Sequence, residues 1–304
     1  MNKNKILVAL DGSEKAFKTI QYLCSFKPFL KKEIVLHNII TKVPACFYDL
    51  QKDPLNTNAN FDVKAWEIDY RSKMDEFMAK SKQMLVEAGF KPEAITVIVA
   101  GRNRGVARDI MDEAQNGYHS LLIRRRGGAK VLLPLAMGSV STKLVEKTAW
   151  IPVMLAGVQI INHVLLIAVD GSAGSKRAVD FVAKMVEGSD CRIVLCSVLR
   201  DFDLCAGKNS DIYIRSAFEE IERIVMDAVN VLETYGIQRT NIITKIVQGA
   251  KSRAGAIVDA AREENCDTIV LGRKGHSNVN DFDIGRVPWK VIHGARELTA
   301  WLVP

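Results

Sequence analysis

The stretch "KILVALDGSEKAFKTI" (Lys5 to Ile20) returns later in the chain as "HVLLIAVDGSAGSKRAVDF" (His163 to Phe181), with Asp11 and Asp170 offset by 159 residues. Each copy is a short apolar run that breaks at Asp-Gly-Ser and continues with helical spacing. "EIVLHNII" (Glu33 to Ile40) returns as "RIVLCSVL" (Arg192 to Leu199) at the same offset. Beyond that point the offset falls to 147: Gly89 matches Gly236, and Gly138 matches Gly285. "HSLLIRRRGG" matches "DTIVLGRKGH" in between. The difference of 12 residues predicts an insertion in the first copy, around residues 44–62, in a polar stretch rich in Asn, Pro and Asp. Order, spacing and residue type all recur, so one unit is written twice.

The unit alternates strands with helices. In copy one the predicted strands are Ile6–Leu10, Ile34–Ile39, Ile95–Val99, Leu121–Ile123 and Val153–Ala156. Their near-continuous apolar character suits strands buried on both faces of a parallel sheet. Amphipathic segments between them end at Gly89 and Gly117, plausible C-caps. Ser13 and Ser172 are placed to cap the helices after the first strands. The expected architecture is α/β: two domains, residues 1–157 and 158–304, each a five-stranded parallel sheet with right-handed crossovers.

The chain of 304 residues is 48% hydrophobic and 25% charged, which fits a soluble globular protein rather than a disordered or fibrous one. "WIPVMLAGVQIINHVLLIAV" (Trp150 to Val169) imitates a membrane span, but Pro152, Gly157 and Asn162 break it, and two strands with a linker are expected. No secretory leader is read at the start, and six cysteines without a C-x-x-C point to a reducing cytoplasm. The net charge of +7 is uneven: residues 1–157 hold 24 Lys/Arg against 16 Asp/Glu, the remainder 18 against 19. That asymmetry hints at an anionic partner. Nucleic acid is not favoured, because the "RRR" run is short and lacks interleaved aromatics.

In an open parallel sheet, ligands bind beyond the carboxyl ends of the strands, where strand order reverses. Three elements of each copy converge there: the Asp-Gly-Ser turn, the end of the second strand near Ile39 or Val198, and the glycine-rich loop after the fourth strand. With these elements the sequence resembles a tandem member of the universal stress protein family, over nearly its whole length. The resemblance implies two Rossmann-like domains of the adenine nucleotide alpha hydrolase-like type. It also implies ATP binding, with Mg²⁺ where phosphate is bound, and a stress or signalling role. In the family's nucleotide-binding branch the loop reads G-x-x-G-x9-G-(S/T), and the following helix receives phosphate.

Carried over to this chain, the implied site in copy two is Asp170, Val198, Gly272, Lys274, Gly275, Gly285, Arg286 and Val287. In copy one it is Asp11, Ile39, Gly128, Gly138, Ser139, Val140 and Ser141. Glycines let backbone N–H groups approach phosphate, and a helix N-terminus supplies partial positive charge. Neither copy matches fully. Copy two keeps all three glycines, but Arg286 stands where Ser or Thr is expected and Pro288 removes a backbone donor. Copy one keeps "GSVSTK" (Gly138 to Lys143), but Arg125 replaces the first glycine. Nucleotide binding by at least one copy and a nucleotide-free scaffold that uses the glycines for packing both remain open.

No metal cluster and no catalytic signature is found: G-x-S-x-G, H-E-x-x-H and the P-loop are all missing, so weak ATP hydrolysis is the most that is expected. Asp11 and Asp170 have two readings, carboxylates that meet Mg²⁺ beside phosphate or turn aspartates that satisfy their own backbone, the second being the commoner use. By the resemblance, the last strands, "PVMLA" (Pro152 to Ala156) and "TAWLV" (Thr299 to Val303), pair within the chain, as they otherwise would between subunits. A homodimer and unidentified protein partners are expected beyond that.

Overall fold

The computed structural model describes residues 4–40, 63–124, 138–157, 162–200, 210–275 and 283–304. The insertion around 44–62, Gly128 and Arg125 lie outside the described residues. Copy one supplies β1 (Lys5–Ala9), α1 (Phe17–Ser25), β2 (Glu33–Ile40), α2 (Val63–Glu87), β3 (Ile95–Gly101), α3 (Val106–Ala114), β4 (Ser120–Arg124), α4 (Ser139–Lys147) and β5 (Val153–Ala156). Copy two supplies β6 (Val164–Ala168), α5 (Ala173–Met185), β7 (Arg192–Arg200), α6 (Ser210–Thr234), β8 (Ile242–Ala250), α7 (Arg253–Glu263), β9 (Thr268–Gly272), α8 (Arg286–Gly294) and β10 (Thr299–Val303).

Within each copy the strands are parallel, and together they form one ten-stranded sheet in the order β3-β2-β1-β4-β5-β10-β9-β6-β7-β8. The junction is antiparallel: β5 pairs with β10, with Trp301 opposite Met154. Those two residues are equivalent at the 147-residue offset, so a pseudo-twofold axis passes between them. The span-like stretch divides into β5 and β6, and no helix among the described residues is long and apolar enough to cross a membrane.

Strand residues alternate between two cores, one on each face of the sheet. Ile6, Val8, Leu165 and Ile167 pack under α1, α2, α5 and α6. Leu7, Leu166, Leu155 and Leu302 pack under α3, α4, α7 and α8. Each core runs through both copies without a break. Gly89 follows α2 with φ +101°, where a side chain would be strained.

Two local expectations need correction. Ser172 caps α5, its hydroxyl accepting from the Ser175 amide. Ser13 makes no such cap: copy one opens with a short 3-10 turn, Glu14–Ala16, and the Ser13 hydroxyl donates to Asp11 Oδ1 at 2.6 Å. The second concerns register. Leu7 pairs with Leu121, whereas its equivalent Leu166 pairs with Ile269. Ala156 pairs with Arg124, whereas its equivalent Val303 pairs with Gly272. Both neighbouring strands therefore set Arg124, not Arg125, in the place of Gly272.

Candidate functional site

Strand order reverses in copy two between β6 and β9, whose chain continuations leave the sheet in opposite directions. The crevice there is a cavity of about 460 Å³. Asp170, Val198, Gly272, Lys274, Gly275, Gly285, Arg286 and Val287 all line it. Val169, Leu271, Ile221 and Ile224 give the cavity an apolar wall, and Arg253, Lys274 and Arg286, with Glu220, give it charged groups. A ligand with a flat apolar group and an anionic tail matches that mixed lining.

Each glycine of the loop has a different reason to be glycine. Gly272 lies against the start of α5: a Cβ there would fall 2.5 Å from the Gly174 carbonyl carbon. Gly174 reciprocates, since its Cβ would fall 2.3 Å from the Lys274 carbonyl oxygen. Gly275 sits over the Asp170 carboxylate, a Cβ meeting Oδ2 at 2.8 Å. The first two glycines thus draw β9, its loop and α5 together, and the third brings the loop onto the Asp-Gly-Ser turn. Gly285 is different. Its φ is −67°, open to any residue, and its N–H donates to the Arg273 carbonyl at 2.9 Å. With that donor used and Pro288 lacking one, the amides of Arg286 and Val287 are what α8 offers an anion.

Asp170 accepts from the Ser172 amide at 3.0 Å, the usual way a turn aspartate is held. Among the described residues no cluster of His, Cys, Asp or Glu forms a metal site. Mg²⁺ is commonly bound by one carboxylate with substrate phosphates, and Asp170 beside Gly275 fits that arrangement. Cys196 also lines the cavity, but burial pushes its thiol up to about 12, so it is an inert wall.

Copy one is built differently at the same place. Arg124 donates to Asp11 Oδ2 at 2.9 Å, and the Met74 thioether lies over Gly12 so closely that a Cβ would fall 2.2 Å from its sulfur. Burial pushes the Asp11 carboxyl up, but hydrogen bonds from Ser13 and the Arg124 charge hold it below the usual aspartate value. Ile39 is buried; Ser141 donates to the Arg124 carbonyl at 3.3 Å. Ser139 is exposed at the start of α4, Val140 packs against the core of Leu7 and Leu155, and Gly138 takes φ +51°. Lys15 and Arg124 stand where copy two has Gly174 and Gly272, so the close approach of loop and helix that shapes the second cavity cannot form.

One residue of the copy-two loop serves the junction instead. Arg273 is only 2% exposed, and its guanidinium donates to the carbonyls of Val145 (2.6 Å) and Thr148 (3.0 Å) at the end of α4. Burial lowers its pKa to about 10, still well above neutrality. A cation at a helix C-terminus meets carbonyls that have no partner in the helix. Lys147 and Asp283 pair beside it at 2.8 Å on the surface. Arg273→Ala is expected to cost about 2 kcal/mol, since hydrogen bonds to a charged group are worth more than neutral ones. Chemical denaturation measures this, and a loss under about 0.5 kcal/mol, the range of ordinary surface changes, would refute the latch.

Sequence reasoning missed Arg273, and it missed Arg200, Lys251, Arg253 and Lys290, which stand around the outer mouth. The last four lie beyond the glycine pattern. For Lys251 and Arg253 the one signal was Lys251-Ser252-Arg253, a capped helix start directly after the third strand of the copy; Arg200 and Lys290 carry no such signal.

A family model described as the universal stress protein family matches residues 162–297. No curated protein matches the chain. Among solved structures, a universal stress protein from Archaeoglobus fulgidus DSM 4304 is similar at 21% identity and a TM-score of 0.65, covering 100% of this chain and 99% of that one. A functionally unknown protein from Pseudomonas aeruginosa PAO1 is similar at 14% identity and a TM-score of 0.55, covering 99% of this chain and 92% of that one. At these identities the likeness is one of fold, and it extends through both copies.

Proposed function

Residues 162–297 belong to the universal stress protein family, and on that premise we propose that the chain is a stress-response or signalling protein that binds an adenine nucleotide in copy two. The observation that supports this reading is the single cavity joining Asp170, Val198, Gly275 and Arg286, with apolar and basic side chains in one lining. Adenine would lie between Val198 and the apolar wall from α6. Phosphate would meet the Arg286 and Val287 amides, Lys274 and Arg286 itself, whose guanidinium takes over the role of the missing hydroxyl. Mg²⁺, where present, would arrive with the phosphates and meet Asp170.

Copy one, residues 1–157, serves in this reading as a nucleotide-free scaffold for residues 158–304. The observation behind that division is Met74 over Gly12, with the Arg124–Asp11 pair beside it. The protein is cytoplasmic, and two chains associate into a homodimer; size-exclusion at one-chain volume would count against the dimer.

The test is direct. ATP with Mg²⁺ is expected to raise the melting temperature of the intact chain, with about 2.7 kcal/mol of stabilisation at one hundred times Kd. Gly275→Val, which drives a side chain into Asp170, should abolish the rise, while Ser141→Ala in copy one should leave it unchanged. No rise in the wild type, together with no adenine nucleotide released on denaturing the purified protein, would leave the scaffold reading alone.

A further inference from the structure

The sheet ends on β3 in copy one and on β8 in copy two, and the two ends are finished differently. The Arg102 N–H donates to the Ile40 carbonyl at 3.0 Å, so the backbone groups of every second residue along β3 face β2. Those of Val97, Val99 and Gly101 face outward, and their N–H groups have no partner among the described residues. The strand, Ile-Thr-Val-Ile-Val-Ala-Gly, carries no charge and no proline. β8 is guarded. Lys245 stands within it, paired with Glu263 and Glu264 at 2.8 and 2.7 Å, its register shifts beyond Val198, and Gly249 takes φ +71°. A lysine and an irregularity are usual means of keeping a sheet edge from pairing with another chain. At the repeat offset, Ile98 of β3 takes the place of Lys245.

The flank of β3 repeats the contrast. Val97 is 38% exposed on the strand itself. Leu30 and Val86 are exposed beside the turn that leads into it: the Gly89 N–H donates to the Val86 carbonyl at 3.0 Å, and a Cβ on Gly89 would lie 3.8 Å from Leu30 Cδ2. In the places of Val97, Leu30 and Val86, copy two has Thr244, Ser189 and Glu233. The same fold forms with polar side chains there, so folding gives no reason for the apolar ones. Exposed apolar side chains gathered beside an open edge mark a contact surface.

We infer that β3 is the surface through which two chains associate, pairing antiparallel with β3 of a second copy about a twofold axis at Ile98. This deepens the homodimer reading above by naming its surface. Ile98 is the middle of the seven residues, so that axis uses the whole strand and sets Val97 opposite Val99 on either side. An uncharged strand meets its own copy without like charges facing each other, and it offers a charged peptide no complement. The chain already uses this device once, where β5 and β10 join the two copies by antiparallel edge pairing. A second copy also closes both bare edges together, and the joint sheet then ends on β8 at each side, where Lys245 and the irregular register stand guard.

Sedimentation of the intact chain over a concentration series is expected to show a dimer. Val97→Lys should weaken it about tenfold, because each of the two symmetric sites loses a cross-strand apolar contact. Leu30→Ser/Val86→Glu, which installs the residues of copy two, should weaken it also and decides the matter if the lysine variant fails to fold. Pairing itself is read by cross-linking. At Ile98 the twofold axis makes a non-hydrogen-bonded pair with Cα atoms about 4.5 Å apart, within disulfide reach. Under mild oxidation Ile98→Cys should therefore give a covalent dimer, while wild type and Lys245→Cys should not. A dimer that these substitutions leave intact, with no cross-link through Ile98→Cys, overturns the β3 surface and keeps the homodimer reading by another face. A dimer that they weaken without that cross-link places the contact here but overturns strand pairing. A wild type that stays at one chain throughout overturns both.

Discussion

Trp301→Ala is expected to destabilise the entire chain by about 4 kcal/mol, within the range for deleting a buried aromatic. Trp301 is fully buried at the middle of β10, with strands on both sides. Its indole N–H donates to the Tyr22 hydroxyl at 2.8 Å, so the one polar atom of the ring is satisfied. Around it stand Phe26 and Phe29 from copy one and Phe181 from copy two, with centroids 5.7, 6.3 and 5.7 Å away. Tyr22 is itself buried, and desolvation raises its pKa so that the hydroxyl stays protonated and able to donate. Removing the indole therefore opens a cavity and leaves Tyr22 one partner short. Because the cluster belongs to both copies, guanidinium unfolding followed by circular dichroism should stay a single transition in wild type. Trp301→Phe should cost much less, about 1 kcal/mol beyond the lost volume, from the missing hydrogen bond. A loss below 1 kcal/mol for the alanine variant would mean that the junction does not carry the fold.

This cluster also shows what duplication permits. In a true twofold dimer the residues on either side of the axis must be identical. Here they are Trp301 and Met154 in the strands, and Tyr22 and Phe181 in the helices above them. A second tryptophan facing the first across a strand pair would crowd a space that one indole already fills. Fusion of the copies lets one side specialise in volume and the other make room.

The repeat was legible because strands buried on both faces leave long apolar runs, and those runs recur with the Asp-Gly-Ser turn at a fixed offset. The copy-two site was legible for the same reason: glycine spacing is set by close backbone approach, which leaves a mark in the chain. What was not legible arises between segments far apart in sequence. The bond from Arg273 to Val145 and Thr148 spans the junction and follows no local pattern. Arg125 was matched to Gly272 because Gly128 and Gly138 fix the spacing from the loop side. The strands fix it from the other side, and the two differ by one residue. The Ser13 cap is not made because copy one enters its first helix through a 3-10 turn, Glu14–Ala16, which the spacing alone does not distinguish from the direct helix start of copy two.

Gly272→Ala is the sharpest test of how copy two keeps its cavity, and it is expected to cost more than about 3 kcal/mol, at or beyond the upper end of ordinary overpacking. Overpacked cores relax by turning a side chain; here the added methyl meets backbone atoms of Gly174 and Ser175 at 2.5 to 2.8 Å, and no rotamer relieves that. Either β9 or the start of α5 must move. Moving α5 shifts Ser172, which caps it, and with it the Asp170 turn that the cap adjoins. The ligand-induced rise in melting temperature should therefore vanish even where the variant still folds. Gly285→Ala, at φ −67° and with contacts of 3.4 Å or more, should keep both stability and binding within a few-fold of wild type. The two glycines look alike in the sequence, and the contrast separates them: one is a packing contact between backbones, the other a helix start that alanine can also make. Equal effects at both positions would show that the loop is held by something other than the approach of Gly272 to Gly174.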